Sequence, residues 1–504
     1  MEPWLRKENN PMVTPDFTTF ERLSAQGNLI PIYREILCDL ETPVALLRKL
    51  GDSPYHFLLE SLEGGEKWGR YSFLGTDPES VFTVRGDEIL IQEKGSVRRR
   101  PHHGDPLGCL KRLLGRYRPV PVPGLPRFYG GAVGFFGYEL AGFFERLPPR
   151  KEGGPWKDEA VFLITDTLMI FDHLRQTIKI AACAYTEGRT DLKALYAEQV
   201  RKIDRLVNRI RTPLNRDHAV AELPPRPLQA QMTSECFQEL VQRAKEYIVS
   251  GDLIQVVLSQ SFRGQTHPDP WDLYRALRRI NPSPYLFFLR MEELILIGSS
   301  PEVMVRQEEN RVELRPIAGT RRRGANEEDD RRLAQELLED PKERAEHIML
   351  VDLGRNDLGR IARVGTVQVS QLLVVERYSH VMHLVSHIRA EVAEGKDCFD
   401  VFRAAFPAGT LTGAPKIRAM EIIHELEPGP RGPYGGAVGY FSFDGNMDFG
   451  ITIRTIIIKG ETLIVQAGAG IVADSDPVSE YQETLNKAQG LMEAIRLASQ
   501  GLDP

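Results

Sequence analysis

The chain has 504 residues, 42% hydrophobic and 27% charged, with a formal net charge of −6; this is a globular composition long enough for one very large core or two to three ordinary ones. The mildly acidic balance gives no support to a nucleic-acid partner, and no apolar run reaches membrane-spanning length, since even Ala160 to Phe171 is broken by Asp166. The first residues lack the apolar core of a signal peptide, and Cys38, Cys109, Cys183, Cys236 and Cys398 are scattered and odd in number, so a soluble, cytoplasmic protein with reduced thiols is expected.

In chain order, strand-like runs come first, at Tyr55 to Leu59, Val81 to Val84 and Val161 to Ile170. Asp191 to Arg211 reads as an amphipathic helix with Asp191 as N-cap. A proline-rich connection, Leu223 to Pro227, follows. A new helix then starts near Thr233, carries Phe237, Leu240, Val241, Ala244 and Ile248 at helical spacing, and ends at Gly251. This places a boundary near residue 225, between an N-terminal region 1–225 and a C-terminal region 226–504. The second region mixes strands (Leu253 to Phe262, Leu294 to Ile297, Thr462 to Ala467) with helices.

An internal echo crosses that boundary. Tyr129 to Phe136 reads YGGAVGFF and Tyr434 to Phe441 reads YGGAVGYF. Glycines of this kind let strands approach closely while the aromatics pack the core, which predicts related strands in related sheets. The echo names no function by itself.

Residues Asp340 to Arg363 hold the most chemistry. Asp340-Pro341 is a helix start with Asp as N-cap and Pro at the first helical position, and Gly354 is the expected stop. Glu343, Glu346, His347 and Leu350 share one face of that helix. A second start, Asp476-Pro477, leads into Glu480 and Glu483. Glu-x-x-Glu spacing also occurs at Glu60/Glu63, Glu336/Glu339 and Glu391/Glu394, and most such pairs are solvated helix faces. The shared Asp-Pro start sets two pairs apart and raises a divalent-cation site beside the solvated-face reading. Oxygen donors without a Cys or His pair at metal spacing would suit Mg²⁺ rather than Zn²⁺.

Other polar groups stand where a cavity could use them. Glu302 follows the strand ending at Ile297 and could act as a general acid, although a lone Glu after a strand is usually solvated. Arg315 to Arg321 reads as a Gly/Pro turn with backbone N–H groups for a carboxylate, and Gly468-Ala469-Gly470, after another strand, offers the same. Neither it nor Gly409 to Lys416 has the spacing of a nucleotide loop. Arg454 and Lys487 add positive charge for an anion, while Lys487 four residues after Glu483 is equally a helix ion pair. The cluster Arg321 to Arg323 reads as solvated or paired with nearby acids. For His383, a hydrogen-bonded core histidine is an equal reading. Together these parts sketch a magnesium site bordered by carboxylate-binding turns and an acid, with the solvated-face reading still open.

The segments PIAGTRRRG, ERAEHIMLVDLGRNDLGR, YSHVMHLVS, GTLTGAPKIRAM, YGGAVGYF, QAGAGIV and SEYQETLNKA, spread from about residue 230 to 495, resemble the chorismate-utilising enzymes, and among them the anthranilate synthase branch. LLES, RYSFLG and the first YGGAVG carry the likeness thinly into the N-terminal region. Aminodeoxychorismate synthases of this family carry a lysine nucleophile where Ala318 stands. Isochorismate and salicylate synthases carry a water-activating lysine where Gln255 stands. Both differences suit ammonia, already a nucleophile, as the incoming group.

The resemblance implies an α+β fold of two facing, largely antiparallel sheets with helices outside and the active site in the cleft. It implies Mg²⁺ held by Glu346 and Glu483 with Glu343 and Glu480 nearby, and chorismate held by Gly319, Thr320, Tyr434, Arg454, Gly468, Ala469, Gly470 and Lys487. Glu302 would protonate the departing hydroxyl, His383 would handle the later proton, and Gln255 would take the place of a base. The cysteine contexts offer no Gly-x-Cys-x-Gly nucleophile turn, so ammonia is expected from a separate glutamine amidotransferase subunit, together forming a heterotetramer. A tryptophan feedback site would involve Glu60, Ser61, Asn281, Pro284, Tyr285 and Leu286, with Leu286 where relatives often have Met and His387 where some have Arg. An aminodeoxychorismate synthase lacking the lysine, and a non-catalytic tryptophan sensor, remain as alternatives.

Overall fold

Apolar runs rich in β-branched side chains form the strands, and helices take a comparable share of the described residues. The computed structural model describes residues 13–61, 69–93, 95–151, 153–214, 227–265, 268–378 and 381–502. The boundary expected near residue 225 lies outside the described residues. The described strands form two antiparallel sheets of 12 strands each.

The first sheet runs Leu29–Leu37, Thr177–Tyr185, Thr167–Asp172, Tyr71–Thr76, Tyr55–Glu60, Tyr285–Met291, Leu294–Ser300, Thr455–Lys459, Thr462–Ile471, Gln255–Gln265 and Gln229–Ala230, with Gly413–Ala414 pairing Gln255–Gln265. The second runs Ile317–Arg322, Val381–Glu391, Arg311–Leu314, Val303–Glu308, Met447–Ile451, Ala437–Ser442, Gly131–Phe136, Ala160–Thr165, Ser80–Arg85, Glu88–Glu93 and Ser96–Pro101, with Gln368–Arg377 on Val381–Glu391. In each sheet the strands from before and after residue 225 form two blocks that meet at one seam. Tyr55–Glu60 pairs Tyr285–Met291 in the first sheet, and Gly131–Phe136 pairs Ala437–Ser442 in the second.

The repeated segments therefore lie side by side in one sheet, a closer relation than strands of two related sheets. The apolar run Val161 to Ile170 is two strands, Ala160–Thr165 in the second sheet and Thr167–Asp172 in the first. Asp166 separates them because a carboxylate accepting from the Lys202 ammonium at 2.8 Å and the Thr167 hydroxyl cannot continue an all-buried strand.

The sheets face each other through aromatic rings and polar links. Phe73 of the first sheet meets Phe128 and Tyr440 at centroid distances of 5.3 and 5.9 Å. The Tyr285 hydroxyl of the first sheet donates to Asp448 of the second at 2.6 Å. On the second sheet Phe136, Phe162, Phe402, Phe441 and Phe449 pack together, with Phe136–Phe162 and Phe136–Phe402 both at 4.5 Å.

Helix starts follow the capping chemistry. Asp191, Thr233, Asp340 and Asp476 each accept a hydrogen bond from a first-turn N–H, heading helices Leu192–Ile210, Ser234–Val249, Pro341–Gly359 and Pro477–Gln500. Gly354 does not stop its helix, which continues to Gly359. It is a packing glycine, since a Cβ there would sit 2.7 Å from Ile388 Cδ1. Arg315 to Arg321 is likewise not a turn: Ile317–Arg322 is a strand with a bulge at Gly319, where φ is +74°. Gly468 to Gly470 does not follow its strand but lies inside Thr462–Ile471, laddered to Gln255–Gln265. Among the described residues no helix is long and apolar enough to cross a membrane, and all five cysteines are unbridged.

Candidate active site

The Asp340-capped helix packs its Glu343, Glu346, His347 and Leu350 face inward, as its spacing predicts, while Ile348 remains 38% exposed. His347 is a core histidine: its Nε2 meets the Ser386 hydroxyl at 2.7 Å, and burial pushes its pKa down to about 4. Glu346 instead reaches the neighbouring sheet, accepting from Gln255 Nε2 at 3.4 Å. Gln255 lies against Gly470, where a Cβ would come within 2.6 Å of its amide nitrogen. Its side-chain oxygen is buried and has no hydrogen-bond partner among the described residues.

The second acidic helix closes the other side. Lys487 Nζ pairs with Glu483 at 2.6 Å and donates to the Gly468 carbonyl at 3.0 Å, so the helix ion pair expected from spacing is present and also ties the helix to the strand. Arg454, at a positive φ of 50°, donates to the Lys487 carbonyl at 3.3 Å. Burial lowers its pKa, opposed by Tyr434 and Glu483. The Tyr434 hydroxyl lies where a Cβ on Gly468 would be 2.8 Å away, and Ala469, between the two glycines, is fully buried.

On the second sheet, the Gly319 bulge turns toward Glu343, whose Oε2 would be 3.0 Å from an added Cβ. His383 Nδ1 lies 3.2 Å from the Gly319 carbonyl and 3.0 Å from Thr320 Oγ1. A carbonyl only accepts, so Nδ1 carries the proton and Nε2 keeps its lone pair. Burial lowers the His383 pKa, which keeps the ring neutral. Glu302 sits between strands Leu294–Ser300 and Val303–Glu308 with its carboxyl pushed up to about 7 by burial, opposed by Thr410 and Lys487. The expected catalytic, substrate and acidic residues thus converge from both sheets and two helices.

Burial raises the pKa of Glu346, and Glu343 and Glu483 push it further; Glu480 is raised by burial and by Glu483. Like charges gathered where water is scarce are stabilised by a cation, and the donors are all hard oxygens. Among the described residues no three carboxylate, imidazole or thiolate groups stand close enough to hold a metal ion. Glu343 is turned to Arg321 at 2.9 Å and Glu483 to Lys487. The donors match Mg²⁺ in chemistry and charge, but in this arrangement they are not gathered into a coordination set.

A second cavity, about 50 Å³, is lined by Glu60, Ser61, Pro284, Tyr285 and Leu286, with Arg127, Arg306 and Asp448 behind. Asn281 does not line it; its amide donates to Ser299 Oγ at 3.1 Å. Glu60 turns its carboxylate to Tyr274 and to Arg278 at 3.3 Å. His387 is elsewhere, 3.7 Å from Glu376 on the strand beside it. A larger cavity of about 300 Å³ holds Tyr138, Glu139, Met420 and Arg431 and lies apart from the expected site acids Glu302, Glu346 and Glu483.

The chorismate binding enzyme model matches residues 62–493. The chain belongs to the chorismate-binding enzymes. Anthranilate synthase component 1 of Acetivibrio thermocellus is 46% identical over 496 residues, covering 97% of this chain and all of that protein. The Aquifex aeolicus protein of the same name is 47% identical over 487 residues, covering 95% of this chain and 97% of its own length. The crystal structure of anthranilate synthase component I from Streptococcus pneumoniae TIGR4 superposes with a TM-score of 0.75 at 35% identity, covering 91% of this chain and 99% of that one.

For a chorismate-binding enzyme, two groups around the site carry no signal in the sequence. Thr410, beside Glu302, looked like part of a failed phosphate loop; Lys416 of that loop is paired with Asp357 at 2.7 Å. Arg321 and Arg323, expected to be solvated or paired with nearby acids, pair with Glu343 and Asp340 and with Asp330 respectively. Arg431 sits in a Gly/Pro stretch with no periodic signal, yet it is buried.

Proposed function

We propose that this chain is the chorismate-binding, catalytic component of an anthranilate synthase, converting chorismate and ammonia into anthranilate, pyruvate and water. The observation that carries the reading within the family is that Gln255, not a lysine, stands against Glu346 at 3.4 Å. A neutral amide cannot activate water, so the incoming group must already be a nucleophile. The buried, unpartnered oxygen of Gln255 accepts an ammonia N–H, which removes the cost of leaving it unsatisfied. Ala318 offers no nucleophile for a covalent route.

Chorismate is a dianion, and Lys487, Arg454, Tyr434, Thr320 and the backbone at Gly319 and Gly468 to Gly470 hold its carboxylates and ring. Mg²⁺, when bound, is held by Glu346 and Glu483 with Glu343 and Glu480 nearby, and offsets the repulsion between a carboxylate and these acids. Glu302, its carboxyl pushed up to about 7 by burial, donates its proton to the departing ring hydroxyl, which leaves as water while the ammonia nitrogen bonds to the ring. The product of this half is aminodeoxyisochorismate. Nε2 of neutral His383 then takes the ring proton at the carbon bearing nitrogen, pyruvate leaves, and the ring becomes aromatic.

A separate glutamine amidotransferase subunit supplies ammonia in the cell, and the two chains form a heterotetramer in the cytoplasm. L-tryptophan binds the cavity at Glu60, Ser61, Pro284, Tyr285 and Leu286 and inhibits, so the region 1–225 is regulatory as well as structural, and 226–504 is catalytic. The test uses the purified chain with chorismate, Mg²⁺ and ammonium chloride, reading product by fluorescence and mass. Anthranilate is expected. Formation of 4-amino-4-deoxychorismate, or tryptophan binding with no turnover, overturns the reading.

A further inference from the structure

Arg431 is the largest fully buried side chain described in the chain, with 1% of its surface exposed. Its guanidinium makes a two-pronged pair with Glu427, Nε to Oε2 at 2.8 Å and Nη2 to Oε1 at 2.6 Å. It also donates from Nη1 to the Leu411 carbonyl and from Nη2 to the Val257 carbonyl, both at 2.7 Å. The Tyr138 and Tyr434 rings flank it, with centroids 4.6 and 5.7 Å from Cζ.

These partners reach two sides of the expected reaction site, although Tyr138 and Glu427 also line the separate larger cavity. Leu411 follows Thr410, which stands beside the Glu302 carboxyl. Val257 pairs with Gly470 on the strand whose Gly468 to Gly470 stretch lies under the substrate region. Tyr434 places its hydroxyl at Gly468. Glu427 continues the chain of contacts by accepting from Ser259 N at 2.8 Å and Ser259 Oγ at 2.9 Å, opposite Gly468 in the ladder. The arginine backbone is held as well: Glu139 accepts from Arg431 N at 2.6 Å and Gly432 N at 3.0 Å.

A buried ion pair contributes little net stability compared with apolar packing of the same volume, so this cation does not need to be there for the fold to be stable. What only a planar guanidinium provides is several donors at fixed angles, which sets the distances between the groups accepting them. We propose that Arg431 is a positioning residue for the reaction: it sets the separation between the acid side of the site, Glu302 with Thr410, and the carboxylate-binding side, Gly468 to Gly470 with Tyr434. The inference rests on the anthranilate synthase reading for the identity of the reaction, not for the geometry.

The test compares the full chain with its Arg431→Lys variant, which keeps the charge and the Glu427 pair but cannot reach Leu411 and Val257 together. Folded fraction is measured by circular dichroism, and turnover of chorismate with ammonium is followed from pH 5.5 to 9. A misplacement of about 1 Å costs roughly 10²-fold in rate, so kcat per folded enzyme is expected to fall by about tenfold to a hundredfold while KM for chorismate changes by less than about threefold. The pH at which kcat falls on the alkaline side is expected to move, because Glu302 loses Thr410 and a dry surrounding while Lys487, the charged group acting on it, stays. A merely structural role predicts loss of folded protein with unchanged kcat, KM and pH profile in what remains. That outcome overturns the proposal. Should Arg431→Lys not fold, Glu427→Gln, which loosens the anchor of the guanidinium, must show the same kcat loss and pH movement, and normal behaviour there overturns it equally. If the parent chain makes a product other than anthranilate, the proposed function fails, while the comparison of the two proteins on that product still judges Arg431.

Discussion

Gly134 and Gly439 sit directly opposite each other at the seam of the second sheet. They are the same position of the two YGGAVG segments, and the pairing around them is symmetric: Ala132 faces Phe441 and Phe136 faces Ala437. A Cβ on Gly134 would meet the Val161 carbonyl oxygen at 1.9 Å, and one on Gly439 the Asp448 carbonyl oxygen at 2.0 Å. Gly131 and Gly436 repeat the pattern against the carbonyls of Phe441 and Phe136. The echo in sequence is a local two-fold in space, with each half needing glycine for the same contact.

Gly439→Ala is therefore expected to destabilise the fold by about 1–3 kcal/mol, since the obstruction is backbone that cannot rotate away. Thermal or denaturant unfolding checks it, and Gly134→Ala should cost a similar amount because its contact is equivalent.

Glu302→Gln keeps the size of the side chain and removes its proton. A loss of about 10²–10⁴-fold in kcat is expected, with a smaller change in KM. If the parent's carboxyl, raised to about 7 by burial, serves as the proposed acid, kcat is expected to fall as pH rises through that value. Glu302→Gln should lack that limb. The sign for stability is the same: the raised group favours the folded state fully below its unfolded pKa, and that contribution is lost as pH rises through about 7. The melting temperature of Glu302→Gln should accordingly depend less on pH between 5 and 8.

His383→Asn retains a hydrogen-bonding side chain near Gly319 but has no base at Nε2. The first half of the reaction should continue while the second slows, so aminodeoxyisochorismate is expected to accumulate. Mass analysis of quenched reactions checks this, and a uniform loss of both products would remove His383 from the second step.

Glu346→Gln and Glu483→Gln each remove a charge from the acidic cluster and are expected to abolish Mg²⁺-dependent turnover. Calorimetric titration with Mg²⁺ alone should show weakened binding in both variants. Retained affinity would move the cation elsewhere. Stripping the parent chain with a chelator should stop the reaction, and added Mg²⁺ should restore it.

Ser61→Phe places a ring at the rim of the cavity lined by Glu60, Tyr285 and Leu286. Tryptophan inhibition should weaken by at least about tenfold, while kcat with ammonium stays within about twofold because the reacting groups are elsewhere. Inhibition curves at fixed chorismate measure it.

Local chemistry was legible wherever it acts over a few residues. Asp340 and Asp476 cap the helices they were expected to cap, because an Asp-Pro start satisfies the first N–H groups whatever packs around it. The inward face of Glu343, Glu346 and His347 follows from helical spacing. Gly354 was misread because a glycine filling a close contact with Ile388 has the same letter as one that stops a helix. Gly319 was read as a turn because a bulge in a strand uses the same positive φ. The run Val161 to Ile170 hid two strands of different sheets, because apolar periodicity does not say which sheet a residue joins.

By itself, then, the sequence determined the capped helices, the acidic pairs, the repeated segment and, through motifs in one order, the chorismate-binding family. Those depend on neighbours along the chain or on strings long enough to be specific. Tertiary structure alone decided which face Glu346 shares with Gln255, that the Glu302 carboxyl is dry enough to hold a proton near neutral pH, and that Arg431 joins Leu411, Val257 and Glu427. Burial and long-range hydrogen bonds join groups far apart in sequence, and a pKa or a clamp exists only once those groups have been brought together out of water.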